Sequence, residues 1–336
     1  VKKVVITGGA GFIGTNLVTS LLERGDTHIV LYDNLSRFGS GKNLAYLRDQ
    51  GTSCLEAIVG DVRDYRRLKE AMKGADIVYH LAAQVAVTTS VNDPRKDFEV
   101  NASGTLNMLE AARQVGNNPI VLYASTNKVY GSMENIPIKQ VGDRYEYIPP
   151  RVGISEQQPL DFHSPYGCSK GTGDQYARDY CRIYGMSTVV FRQSCIYGPR
   201  QFGMADQGWL AWLATAAYKD LPIAIYGDGK QVRDILYVDD LLQAFNQAIG
   251  SIEVTRGQVY NIGGGPQNTL SLLDWIQLLE THLSRQIHYG FAEWRPGDQR
   301  VYISDIAKAE RDFGWRPHVP KAMGIAKLLQ WIESEQ

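Results

Sequence analysis

The sequence predicts an α/β protein: a doubly wound parallel sheet followed by a second, smaller C-terminal domain. Three observations carry this. Strand-like and helix-like stretches alternate through the first 190 residues, the pattern of a sheet with helices on both faces. A glycine-rich turn joins the first strand to the first helix. The chemically suggestive residues Asp61, Ala82-Ala83-Gln84, Ser125-Thr126 and Gln193 all follow predicted strands, where open parallel sheets bind ligands.

The first strand is the short apolar run Lys3–Thr7. It leads into Gly8-Gly9-Ala10-Gly11-Phe12-Ile13-Gly14 and then the helical pattern Asn16–Leu22, which stops near Gly25. Glycines at 8, 11 and 14 let the backbone turn tightly, approach a pyrophosphate and pack helix on strand, with the helix N-terminus facing the phosphates. A glycine triplet alone could be an ordinary turn; the strand–turn–helix context makes it the Rossmann dinucleotide fingerprint. His28–Tyr32 reads as the second strand and ends at Asp33, nineteen residues after Gly14. A carboxylate there suits ribose hydroxyls and repels a 2′-phosphate, favouring NAD over NADP, although Arg37 leaves room for NADP.

Further strands are expected at Ser53–Val59, Ile77–Leu81, Ile120–Ala124 and Thr188–Arg192, with helices at Tyr65–Met72, Asp97–Val115 and Ser164–Tyr184. Beyond residue 193 the order loosens into loops rich in glycine, proline and aromatics. The expected division is a dinucleotide-binding domain over 1–190 and a substrate domain over 191–336, interleaved and crossing back to the sheet near Ile235–Val238, within 235–248. The 32 residues from Ser132 to His163 are long for a connection, and are expected to bring Tyr145, Tyr147, Arg151 and Phe162 near the reactive tyrosine.

That tyrosine lies in Ser164-Pro165-Tyr166-Gly167-Cys168-Ser169-Lys170. Tyr166 and Lys170, four residues apart on a helix, share a face. A nearby ammonium favours phenolate and is expected to lower the tyrosine's pKa, making Tyr166 a proton acceptor for a substrate hydroxyl.

Composition is consistent with a metabolic enzyme. The 336 residues carry 35 basic and 36 acidic side chains, net charge -1, so there is no electrostatic case for nucleic acid or a membrane surface. No basic-plus-apolar leader or long apolar span is evident, giving a cytoplasmic expectation. The four cysteines form no C-x-x-C pair, and the six histidines show no ligand spacing, so no metal site is expected.

Taken together the motifs resemble the extended short-chain dehydrogenase/reductase superfamily, in its nucleotide-sugar-modifying branch. They are Thr7–Gly14, Gly60-Asp61-Val62, His80-Leu81-Ala82-Ala83, Asn101, Ser125-Thr126, Val129-Tyr130-Gly131, Tyr166/Lys170 and Tyr197-Gly198-Pro199-Arg200. They continue through Gly227-Asp228-Gly229, Arg233-Asp234, Tyr237-Val238-Asp239-Asp240, Arg295-Pro296-Gly297-Asp298 and Gly314-Trp315-Arg316-Pro317. The resemblance implies that Gly8, Gly11, Phe12, Ile13 and Gly14 line the pyrophosphate of a tightly bound NAD. Asp33, Asn34, Ser36 and Arg37 surround its adenosine ribose, Asp61 and Val62 flank adenine, and Leu81, Ala82, Ala83 and Asn101 run along the cofactor. Thr126, Tyr166 and Lys170 become the catalytic set. Gln84, Thr126, Asn127, Arg233 and Arg295 become the substrate contacts, the two arginines clamping a nucleotide diphosphate.

Departures narrow the branch. Nucleotide-sugar 4,6-dehydratases resemble Thr-Asp-Glu at the catalytic threonine; this chain has Thr126-Asn127-Lys128 and lacks that acid–base pair. Ser125–Gly131, Leu160–Lys170, Asp206-Gln207-Gly208-Trp209 and Gly229–Asp234 resemble the CDP-tyvelose (CDP-paratose) 2-epimerases. The implied reaction inverts C2 of a CDP-hexose through a transient 2-keto sugar. UDP-sugar 4-epimerisation, net NAD-dependent dehydrogenation, 4,6-dehydration and a non-enzymatic NAD sensor are the alternatives. A homodimer or homotetramer is implied, joined through the 97–115 and 164–184 helices. Cys195, where relatives often have asparagine, is read as a packed thiol rather than a nucleophile.

Overall fold

The computed structural model describes residues 1–51 and 53–335. Five strands in chain order, β1 (Lys2–Thr7), β2 (Thr27–Asp33), β3 (Leu55–Val59), β4 (Ile77–His80) and β5 (Ile120–Thr126), are followed by a hairpin of β6 (Ile138–Val141) and β7 (Arg144–Tyr147). Then come β8 (Thr188–Gln193), β9 (Cys195–Tyr197), β10 (Ile223–Tyr226), β11 (Val232–Tyr237), β12 (Val259–Ile262), β13 (Thr269–Ser271), β14 (Tyr289–Ala292) and β15 (Val301–Tyr302). The main sheet has seven strands in the order β12-β8-β5-β4-β1-β2-β3, all parallel. The strand order reverses between β1 and β4, and the crevice at that switch point is where the fold binds ligands.

Both faces of this sheet are covered, which is why its strands are near-continuous apolar runs. On one face the helix Phe12–Arg24 packs with Leu31, Phe191 and Phe245; on the other, Tyr65–Met72 and Gly104–Gln114 pack with Val30, Val78 and Val121. The Tyr65–Met72 helix starts at Asp64, whose side chain accepts from the Arg67 amide, a standard N-cap. The helix Ser164–Tyr184 starts on Pro165 and ends at Gly185, a left-handed C-cap.

The expected Asp97–Val115 helix is three pieces: Pro94–Phe98, a π-helical turn Glu99–Ser103, and Gly104–Gln114. It begins earlier because Asp93 caps the Lys96 amide and Pro94 supplies the first turn. The π turn, a feature that recurs at functional sites, carries Asn101.

The C-terminal half builds a second apolar cluster around Trp275, Leu210, Ile225, Leu279 and Leu328. Its backbone frame is β11, which pairs with β9, β13 and β15, beside a separate β10–β14 pair. The strand that returns to the main sheet is therefore β12 at Val259–Ile262, not Ile235–Val238. A buried apolar run identifies a covered strand but not which sheet it joins. The helix Val238–Gly250 does pack on the main sheet, as do Phe313 and Trp315, whose indole donates to the Asp240 carbonyl at 2.9 Å. Among the described residues no helix is long and apolar enough to cross a membrane, and no group of histidine, cysteine and acidic side chains could hold a metal ion.

Candidate active site

A cleft of about 700 Å³ lies at the carboxyl edge of the sheet, between it and the C-terminal half. Its floor is the glycine turn. Gly8 has φ +71°, and a Cβ there would lie 2.6 Å from the Ala82 amide nitrogen. A Cβ on Gly14 would collide with the Gly8 carbonyl oxygen. Both positions thus need glycine, and Phe12, Ile13 and Gly14 open a helix whose N-terminus faces the cleft. Asp33 ends β2 in the cleft wall, its carboxylate accepting from the Ala10 amide at 3.0 Å and the Leu35 amide at 2.8 Å. Burial raises its pKa while those amides oppose the shift. Asn34, Ser36, Arg37, Val62, Leu81, Ala82 and Ala83 complete this side, and the cradle fits a dinucleotide with unphosphorylated ribose. Arg37 reaches across to Asp206 at 3.5 Å and Gln207 at 3.2 Å. That anchors it away from a free phosphate-binding role.

Two expected cofactor contacts do not line the cleft. Asp61 is turned to Arg63 and Asn34, at 2.9 Å each; chiefly through Arg63 its pKa is held at about 2. Asn101 is buried behind the wall. Its Oδ1 accepts from the Gln84 amide at 2.8 Å, and its Nδ2 donates to the Gln84 carbonyl, Asp97 and Ser169. Asn101 therefore shapes the 82–86 loop. Gln84 does line the cleft, but its side chain is committed to Asp97 and to both backbone groups of Ala86, so it is not a free substrate contact.

Thr126 at the end of β5, and Tyr166 and Lys170 on the first turns of their helix, meet in the cleft. The Thr126 hydroxyl lies near the Tyr166 phenol and donates to Asn127 Oδ1 at 3.4 Å. The electrostatics depart from the sequence expectation. Burial pushes Tyr166 up to about 12, Thr126 only partly opposing it. Lys170 donates to the Ala124 carbonyl at 2.6 Å and lies 4.4 Å from the Tyr123 ring centroid; burial lowers it to about 7, against the pull of Asp174 and Asp97. Desolvation of two buried groups outweighs their proximity, so the phenol stays protonated until further positive charge enters the cleft.

The opposite wall is cationic. Lys128 and Arg233 share one carboxylate oxygen of Asp298, at 3.0 and 2.8 Å. Burial opposes ionisation of Asp298, but the two cations hold it at about 2. Arg295 donates to the Ala205 carbonyl at 2.6 Å and stacks 4.1 Å from the Tyr226 ring centroid. One carboxylate among three cations leaves a net positive surface, suited to a diphosphate. Asn127 lines the cleft beside them. Cys195 accepts from the Trp209 indole at 3.3 Å, and burial raises its pKa, as a packed thiol requires.

Lys128, Gln193, Tyr226 and Asp298 are cleft residues to which the sequence assigns no cofactor or substrate contact. Gln193 carries a positional signal, as the residue following a predicted strand, while Lys128 and Asp298 appear only inside motifs without a role of their own. The 132–163 segment contributes no residue to the cleft wall. Tyr145 bonds Asp228 at 2.6 Å, Tyr147 bonds the Val301 carbonyl at 3.0 Å, Arg151 is exposed, and Phe162 packs on Gly171 behind the reactive face.

Comparison with known proteins places the chain in a family. The family model described as GDP-mannose 4,6 dehydratase matches residues 5–328. The CDP-paratose 2-epimerase of Salmonella typhi is 42% identical over 339 residues, covering 99% of both chains. The structure of UDP-glucuronic acid 4-epimerase from Bacillus cereus, in complex with UDP-glucuronic acid and NAD, superposes with TM-score 0.85 at 28% identity, over 99% of this chain and 100% of that one. A dTDP-glucose 4,6-dehydratase from Streptomyces venezuelae with NAD bound gives 0.83 at 30% identity, over 99% and 97%.

Proposed function

We propose an epimerase reaction at C2 of a CDP-hexose for this chain, which belongs to the GDP-mannose 4,6-dehydratase family of extended short-chain dehydrogenases/reductases and is an NAD-dependent enzyme of nucleotide-sugar chemistry. The observation that carries epimerisation over dehydration is Asn127-Lys128 beside Thr126. Elimination of water needs an acid and a base there; Asn127 is neutral and Lys128 is tied to Asp298. The 42% identity to a CDP-paratose 2-epimerase supports C2 and the cytidine nucleotide.

NAD, when bound, supplies the hydride acceptor and its positive nicotinamide ring. Tyr166 takes the hydroxyl proton of the sugar and later returns it, Thr126 holds the reacting oxygen, and Lys170 sits at the ribose end of the site. Lys128, Arg233 and Arg295 hold the diphosphate while the hexose turns to present its other face. The overall reaction is redox-neutral, so no nicotinamide is consumed.

The test is the fate of the C2 hydrogen. Product formed in heavy water is expected to carry no deuterium at C2, and substrate deuterated at C2 to keep its label, both read by NMR. Solvent deuterium at C2 would reject hydride return, and inversion of C4 with C2 untouched would make the enzyme a 4-epimerase.

The same reading includes self-association. Phe98, Leu106, Tyr176, Ile183 and Tyr184 are large apolar side chains exposed on the helices around 94–114 and 164–184. A patch of that kind marks an interface. Sedimentation velocity is expected to show a dimer or tetramer; a monomer at micromolar concentration would refute the interface.

A further inference from the structure

We propose that Gln193 is a sugar-binding residue that holds the reacting end of the hexose, a role resting on the nucleotide-sugar reading above. Gln193 is the last residue of β8, and its register partner on β5 is Thr126. Adjacent parallel strands lie about 4.8 Å apart, and paired residues project from the same face. Its side chain therefore stands beside Thr126, and both residues line the cleft with Tyr166.

The second observation is independent of position. Gln193 is only 8% exposed, and among the described residues its buried amide nitrogen has no hydrogen-bond partner. Buried amides are nearly always paired, so an unpaired one in a ligand cleft marks a contact completed by the ligand. Gln84 is the internal contrast: it lines the same cleft, yet the chain itself satisfies its amide.

The chemistry suits a sugar oxygen that changes character during turnover. An amide offers a donor and an acceptor, and a hydroxyl matches either. When that hydroxyl becomes a carbonyl, the donor end still serves it. Gln193 thus gives the reacting oxygen, or its vicinal neighbour, a partner in both states and on both presentations of the ring.

The experiment compares wild type with Gln193→Leu, which keeps bulk and removes polarity, and Gln193→Glu, which keeps the acceptor and removes the donor. Turnover is measured with bound NAD content, and calorimetry measures affinity for CDP and CDP-glucose, with UDP and UDP-glucose in parallel. For Gln193→Leu the expected loss in kcat/KM is about 10- to 100-fold, that of an abolished buried hydrogen bond. NAD content and CDP affinity should be unchanged, and the difference in affinity between CDP-glucose and CDP should shrink by a similar factor. Unchanged turnover and unchanged CDP-glucose affinity would overturn the proposal. So would a parallel loss of NAD, which would assign the amide to the cofactor. If wild type inverts C4 and Gln193→Leu still loses activity, the C2 reading fails and this one stands. If no nucleotide sugar is turned over, the calorimetric comparison alone decides.

Discussion

Replacing Tyr166 with phenylalanine is expected to lower turnover by about 10²–10⁴-fold while leaving the fold and bound NAD intact. The side chain is buried, and the substitution removes one oxygen without opening a cavity, so packing is preserved. What is lost is the group that exchanges a proton with the sugar hydroxyl. Thr126→Ala should cost less, since it removes one hydrogen bond to the reacting oxygen rather than the proton acceptor. Burial pushes Tyr166 up to about 12 and the positive nicotinamide of bound NAD opposes that shift, so the phenolate fraction, and with it the wild-type rate, should rise with pH through the neutral range. The residual activity of Tyr166→Phe should lack that limb. Near-normal turnover in the variant, or an unchanged limb, would remove Tyr166 from the proposed mechanism.

What the sequence made legible was local. The glycine turn, Asp33 at the end of β2 and the Tyr166/Lys170 pair are patterns within a few residues, and each lines the cleft. The Tyr65–Met72 and Ser164–Tyr184 helices were readable to the residue because caps at Asp64 and Gly185 and the proline at 165 mark their ends. Contacts between distant residues were not readable. Lys128 and Arg233 meet Asp298 across sequence separations of 170 and 65 residues, and nothing local at Lys128 indicates a partner. Asn101 and Asp61 carry family motifs, yet a π turn and a neighbouring arginine turn them to support the wall instead of forming it. Helical spacing placed Lys170 beside Tyr166. It could not reveal that burial and the Ala124 carbonyl govern the ammonium's charge. Periodicity reports which face is covered; desolvation depends on what covers it.

Asp174→Asn is expected to cost about 3–5 kcal/mol of stability, a large share of the roughly 5–15 kcal/mol that holds a domain together. Asp174 and Arg192 form a buried bidentate pair, at 2.8 and 2.9 Å, with side chains 0% and 3% exposed. Neutralising the carboxylate leaves the guanidinium desolvated and without its counter-charge, the costly half of a buried ion pair. The pair also lies at the base of the candidate site. Asp174 accepts from Ser125 at 2.8 Å, next to Thr126, and Arg192 donates to Tyr130, which donates to Asn261 on β12. One network therefore joins the reactive strand, the Tyr166 helix and the strand that returns from the C-terminal half. Replacing both partners with apolar residues of similar volume, Asp174→Leu with Arg192→Met, should cost far less than the sum of the single changes, because no orphan charge remains. Urea midpoints for the two single variants and the double variant measure that coupling. Turnover of the Asp174 variant at a temperature where it remains folded should still fall, since Ser125 loses an ionised acceptor beside Thr126. A loss of stability under about 0.5 kcal/mol on Asp174→Asn would show that water or a neighbour compensates Arg192, and the network could not then be what fixes the end of β5.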